Sequence, residues 1–144
     1  MTRTDRVRRF LEARGAPRHV VEGGLTGLLR GWEATVAAVA EGYPLDTLDD
    51  YLNDLDGRQI LDEALAIAPR TEAERLRAGL AAADARFRAL IVPTVRCLWG
   101  DRAAAEHGWS ADRSWWYWSR PQRTGAELSR EIDGVLGEPD AGSR

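Results

Sequence analysis

Between Pro17 and Tyr43 the apolar residues recur at Val21, Leu25, Leu28, Trp32, Val36, Val39 and Tyr43, at steps of 4, 3, 4, 4, 3 and 4. That spacing draws one continuous stripe along an α-helix and cannot line one face of a strand. So long a stripe needs neighbours to cover it, which makes 17–42 the predicted central helix. Pro17 suits its start and Gly42 its stop. A second side of the same segment carries Gly24, Gly27, Gly31, Ala34 and Ala38. Glycine costs ~1 kcal/mol in a helix interior, so this side is expected to let another helix approach closely. A break is expected at Gly23-Gly24.

The same period recurs on both sides of this segment. Thr4–Arg14 reads as a short amphipathic helix with Val7, Phe10 and Leu11 inward. Asp46–Asp56 sets Leu48, Leu52 and Leu55 against a row of acids. Gly57 is expected to divide it from a second helix, Arg58–Ala68, with Ile60, Leu61, Ala64 and Leu65 inward. Thr71 and Glu74 form a capping-box pattern at the head of a long helix through Leu76, Leu80, Ala83, Phe87 and Leu90, which Pro93 kinks or ends. Asp101–Glu106 is a short helix closed by Gly108, and Thr124 with Glu127 opens a last one through Leu128 and Ile132. The fold class is therefore all-α: a compact bundle of six to seven helices around the Gly/Ala-faced helix 17–42. At most it adds a minor β-hairpin near 95–99 and 115–119. Residues 1–137 are expected to form a single helical domain, with 138–144 as a flexible tail.

Composition excludes several chemistries. All 20 basic residues are Arg, so no lysine is present to act as a base, a Schiff-base former or a P-loop cation. One Cys, Cys97, excludes an internal disulfide or a multi-cysteine metal site, and two His exclude a three-histidine site. No signal-peptide pattern opens the chain, and no apolar run approaches the ~20 residues of a membrane span. The expected setting is the reducing cytoplasm, with no membrane partner. Charge is unevenly placed: residues 1–30 hold seven Arg and three acids, residues 31–68 one Arg and nine acids, and residues 69–144 twelve Arg and eleven acids.

Two segments stand out as candidate interaction surfaces. The first is acidic: Asp46, Asp49, Asp50, Asp54 and Asp56, continued by Asp62 and Glu63. A calcium-loop register would put Gly57 at the sharp turn, but its first ligand position is then Leu52. The second is aromatic and basic: Trp109, Arg113, Trp115, Trp116, Tyr117, Trp118, Arg120 and Arg123. Four consecutive aromatics cannot all enter one small core, and Trp, Tyr and Arg dominate interface hot spots. A Cys97–His107 pair is conceivable but has no flanking motif.

These features point to a small helical protein that works by protein–protein interaction, in an immunity-like, antitoxin-like or accessory role. Its working residues are expected to be Asp46, Asp49, Asp50, Asp54, Asp56, Arg113, Trp115, Trp116, Trp118, Arg120 and Arg123. No cofactor or metal is expected, and a homodimer is plausible. One alternative is a small helical enzyme using the clustered Asp and Glu residues with a His or a divalent metal. Another is a nucleic-acid binder using Arg3, Arg6, Arg8, Arg9, Arg14 and Arg18, which the acidic balance and the lack of a helix-turn-helix signature argue against.

Overall fold

The computed structural model describes residues 4–43 and 46–137, and the expected tail at 138–144 and Arg3 lie outside them. Six helices are present among the described residues: α1 (Thr4–Ala13), α2 (Arg18–Glu41), α3 (Leu48–Ile67), α4 (Arg70–Leu90), α5 (Asp101–His107) and α6 (Ala126–Gly137). Two three-residue strands, β1 (Ile91–Pro93) and β2 (Ser119–Pro121), pair antiparallel with Val92 opposite Arg120. The fold is all-α, and α2 touches α1, α3 and α4. No helix among the described residues is long and apolar enough to cross a membrane.

The stripe on α2 is the centre of the core: Val21, Leu25, Trp32, Val36, Val39 and the following Tyr43 are all buried. The expected break is also present. Gly24 has φ 58° and ψ −153°, a conformation essentially reserved for glycine, and it interrupts the helix. The expected packing of the Gly/Ala side is not found. A Cβ added at Gly24, Gly27 or Gly31 would meet nothing within 4 Å, and Gly31 and Ala34 are exposed. Close approach falls instead on Gly79 of α4, where an added Cβ would lie 3.1 Å from Leu29 Cδ2.

Gly57 does not divide the acidic segment. Residues 48–67 form one helix, so Leu52 to Glu63 is helical and cannot be a calcium loop. Two features carry the helix through its glycine. Thr47 and Asp50 close a capping box at its start, the Asp50 amide donating to Thr47 Oγ1 at 3.3 Å and the Thr47 amide to Asp50 Oδ2 at 3.0 Å. The buried face is then continuous: Tyr51, Leu52, Leu55, Arg58, Leu61 and Ala64. Arg58 is the member that makes it one stripe, and it is only 5% exposed.

Arg58 is held by Asp84, Trp116 and Asp62. Its Nε and Nη2 donate to the two carboxylate oxygens of Asp84 on α4 at 3.0 and 2.9 Å. Trp32 Nε1 donates to the same Asp84 Oδ1 at 2.9 Å. The guanidinium lies 4.3 Å from the Trp116 ring centre, and Asp62 Oδ1 stands 3.7 Å from Nη1. A buried charge survives where paired in this way. The network joins α2, α3, α4 and the aromatic segment at one point.

Other local signals resolved differently from the expectation. The α3–α4 joint is only Ala68-Pro69, and α4 starts at Arg70 with Pro69 as its cap, so Thr71 lies inside the helix and does not cap it. The first backbone bond of α6 runs from Ser129 to Gly125, placing Thr124 one residue too early to cap. The strands lie at 91–93 and 119–121, not at 95–99 and 115–119. Residues Trp115–Trp118 form a 3-10 helix, and α5 lies between the strands, so they form no hairpin. Amides of Thr94 and Leu98 nevertheless bond Trp118 O and Tyr117 O, both at 2.8 Å, which ties the two segments together.

Candidate functional site

Continuity of α3 through Gly57 places Asp56, Gln59, Ile60 and Glu63 on one helix face, at steps of 3, 1 and 3. This face looks onto a cleft of about 370 Å³, also lined by Trp99, Ala103, His107, Trp109 and Tyr117 and by Arg14, which directly follows α1. The acidic helix and the aromatic segment therefore meet in one concave site.

The ends of α5 position its rings. Gly108 adopts the left-handed conformation, φ 71°, and returns its amide to Ala104 O. Trp109 N also donates to Ala104 O, at 2.9 Å. This reversal lays Trp109 between two other rings, His107 at 4.5 Å and Tyr117 at 4.3 Å between centroids, with interplanar angles of 17° and 29°. Trp99, beyond the amino end of α5, is 37% exposed at the mouth of the cleft.

The carboxylates are fixed by donors. Asp56 Oδ1 accepts from Trp99 Nε1 at 3.0 Å and from the Tyr117 hydroxyl at 2.6 Å. Glu63 Oε1 accepts from Arg14 Nη1 at 2.7 Å, and Glu63 Oε2 from Gln59 Nε2 at 3.0 Å. Burial, and then the neighbouring Asp56, push the Tyr117 phenol far above its ordinary value. It thus remains a donor to Asp56 at every physiological pH.

The other expected site residues are dispersed. Asp49 and Asp50 are exposed, and Asp50 is engaged in the cap of α3. Asp46 is half-buried. Asp54 turns to the core side and accepts from the Tyr43 hydroxyl at 2.5 Å. Burial raises its carboxyl, and the Tyr43 bond opposes that shift. Trp116 is corrected from surface to core: it is 1% exposed and stacks on Arg58. Trp115 is half-buried beneath the Arg88 guanidinium, 3.7 Å from its ring centre. Trp118 is half-buried against the core. Arg120 binds Asp133 on α6 at 2.7 Å, and Arg113 and Arg123 are exposed.

Cys97 is buried, and burial raises its thiol, whereas His107 is exposed and stacked on Trp109. No hydrogen bond joins them among the described residues. Of the clustered acids and the two His, Asp56, Glu63 and His107 line the cleft. Among the described residues no group of three His, Cys, Asp or Glu side chains is arranged to hold a metal ion. Trp99 and Gln59 belong to no expected site, and Arg14 only to the expected cluster of nucleic-acid contacts. Asp56 lies 43 residues from Trp99 and 61 from Tyr117, and no local pattern reports such a pairing.

A larger cavity, about 690 Å³, lies at the Gly24 break between α1, α2 and α4, lined by Val7, Leu25, Leu29 and Leu76 with Arg8, Glu22, Glu72 and Arg75 at its edges. Comparison with protein-family models finds no match, and comparisons with curated proteins and with solved structures find none either.

Proposed function

We propose that this chain is a binding protein that docks a partner protein on the face formed by α3, α5 and the aromatic segment, with the cleft at its centre. One observation supports this above the others: two carboxylates and the rings of Trp99, Trp109 and His107 converge on one open cleft, with Asp56 held by the buried Tyr117. Preorganised aromatic and charged groups lose little freedom on association, so more of the contact energy appears as affinity. Asp49, Asp50 and Arg113 remain exposed. Such charges outside a site steer encounter more than they hold a complex. Immunity, antitoxin and accessory proteins all act in this manner, and a cytoplasmic setting accords with the single buried thiol.

A photoreactive amino acid installed at Trp99, and separately at exposed Arg86 on α4, tests the reading in living cells. A discrete cross-linked band from position 99 and none from position 86 is expected. No band from position 99, or the same bands from both, refutes it.

A further inference from the structure

We infer that the cleft is a receptor for the guanidinium of an arginine side chain carried by the partner protein. The inference rests on the docking reading and adds the chemistry of the group that enters. The cleft presents acceptors and π-faces together. Trp99 and Tyr117 both bond Asp56 Oδ1, which leaves Oδ2 for a further donor. Two carboxylates flank the space, and the segment that supplies them, residues 31–68, carries nine acids and one Arg. That Arg is buried on the opposite side of α3. An anion is therefore disfavoured here and a cation attracted.

The rings narrow the class of cation. Trp99, 37% exposed, gives a flat face beside Asp56, and a planar guanidinium can stack on a ring while its N–H groups fork to a carboxylate. An ammonium ion is a strongly hydrated point charge and can do only part of this. A guanidinium already stands at the cleft: Arg14 donates to Glu63 Oε1 at 2.7 Å. That pair is about two-fifths exposed on both sides. Exposed pairs are weak, so an incoming guanidinium can compete with Arg14 for Glu63.

The test titrates N-acetyl-arginine-amide into the ¹⁵N-labelled protein at constant ionic strength and follows the Trp99 indole N–H, assigned with Trp99→Phe. Neutral N-acetyl-citrulline-amide and N-acetyl-lysine-amide serve as comparison ligands. We expect saturable shifts with Kd on the order of 1 mM, about fivefold weaker binding of the lysine compound and none of the citrulline compound. Asp56→Asn keeps an acceptor for Trp99 and Tyr117 but removes the charge and puts an NH2 donor in place of the free oxygen. It should weaken binding about fivefold or more. Arg14→Ala, at an exposed position, should tighten binding about twofold or more, because it frees Glu63 and removes a like charge. A merely structural Arg14 would not give tighter binding. Equal shifts with citrulline, unchanged affinity in Asp56→Asn, or no tightening in Arg14→Ala overturns the inference. Cross-linking at position 99 without arginine binding leaves the docking reading standing and removes this one. Arginine binding without cross-linking removes the docking reading and, with it, a partner protein as the source of the arginine.

Discussion

Replacing Asp84 with Ala tests the core network that sets the aromatic segment against α3. The substitution strands Arg58, 5% exposed, without its bidentate partner, and leaves the Trp32 indole N–H without its acceptor. Breaking a fully buried pair from one side costs about 3–5 kcal/mol, and an orphaned buried donor adds about 1–3 kcal/mol. Two features reduce the sum. The Asp84 side chain is 19% exposed, so water reaches it, and Asp62 already stands 3.7 Å from Nη1 to take up part of the charge. The expected loss is about 3 kcal/mol, a large fraction of the roughly 5–15 kcal/mol that holds a domain together.

Chemical unfolding at pH 7 and 25 °C reads it, with an unchanged m-value as the control that the unfolded state is comparable. Arg58→Met alone, and the double variant Arg58→Met/Asp84→Ala, complete a double-mutant cycle. The two positions are in direct contact, so a coupling energy of about 2 kcal/mol is expected, with the double variant more stable than Asp84→Ala. A coupling below about 0.5 kcal/mol, or a loss below about 1 kcal/mol in Asp84→Ala, would refute the view that this pair ties the core together.

Gly24→Ala has open space for its Cβ but a φ of 58°, so it should destabilise by about 1–3 kcal/mol through backbone strain alone. Gly27→Ala has the same open space within regular helix and should stabilise by up to ~1 kcal/mol, so thermal melts of the two should move in opposite directions. Thr47→Ala removes the capping hydroxyl of α3 and should cost about 1 kcal/mol in urea unfolding. Asp54 has its folded carboxyl raised by burial. Its contribution is present in acid, below the unfolded value, and is lost as pH rises through the folded one. Asp54→Asn, which keeps an acceptor for Tyr43, should therefore gain stability relative to wild type at pH 7 and lose that advantage near pH 3, as paired denaturation curves would record.

Much of the fold was written in local spacing. The α2 stripe, its break at Gly24 and the Gly108 stop of α5 each follow from one residue type at one offset. The misreadings share a cause. Gly57 looked like a boundary because glycine weakens a helix, yet ~1 kcal/mol of propensity is small beside a buried face that runs from Tyr51 to Ala64. That face was not recognised as continuous because its middle member, Arg58, is charged. Thr71 looked like a cap because it had the right partner, but Pro69 already fixed the chain for a helix beginning at Arg70. Counting aromatics sends Trp116 to the surface; only the tertiary structure shows that, of the four consecutive rings, it is the one stacked on Arg58.

The sequence by itself determined that this chain is helical, that 17–42 lies at its centre, and that its densest run of Asp and its densest run of Trp fall in separate segments. Those are properties of residues a few positions apart, where backbone geometry alone sets what is adjacent. Only the tertiary structure decided which aspartates belong to the surface, which to the core and which to the cleft. Asp54, Asp56 and Asp84 are chemically alike, and they end beside Tyr43, beside Trp99 and Tyr117, and beside Arg58. What distinguishes them is the donor each meets from a distant part of the chain, and those meetings are set by how the helices pack.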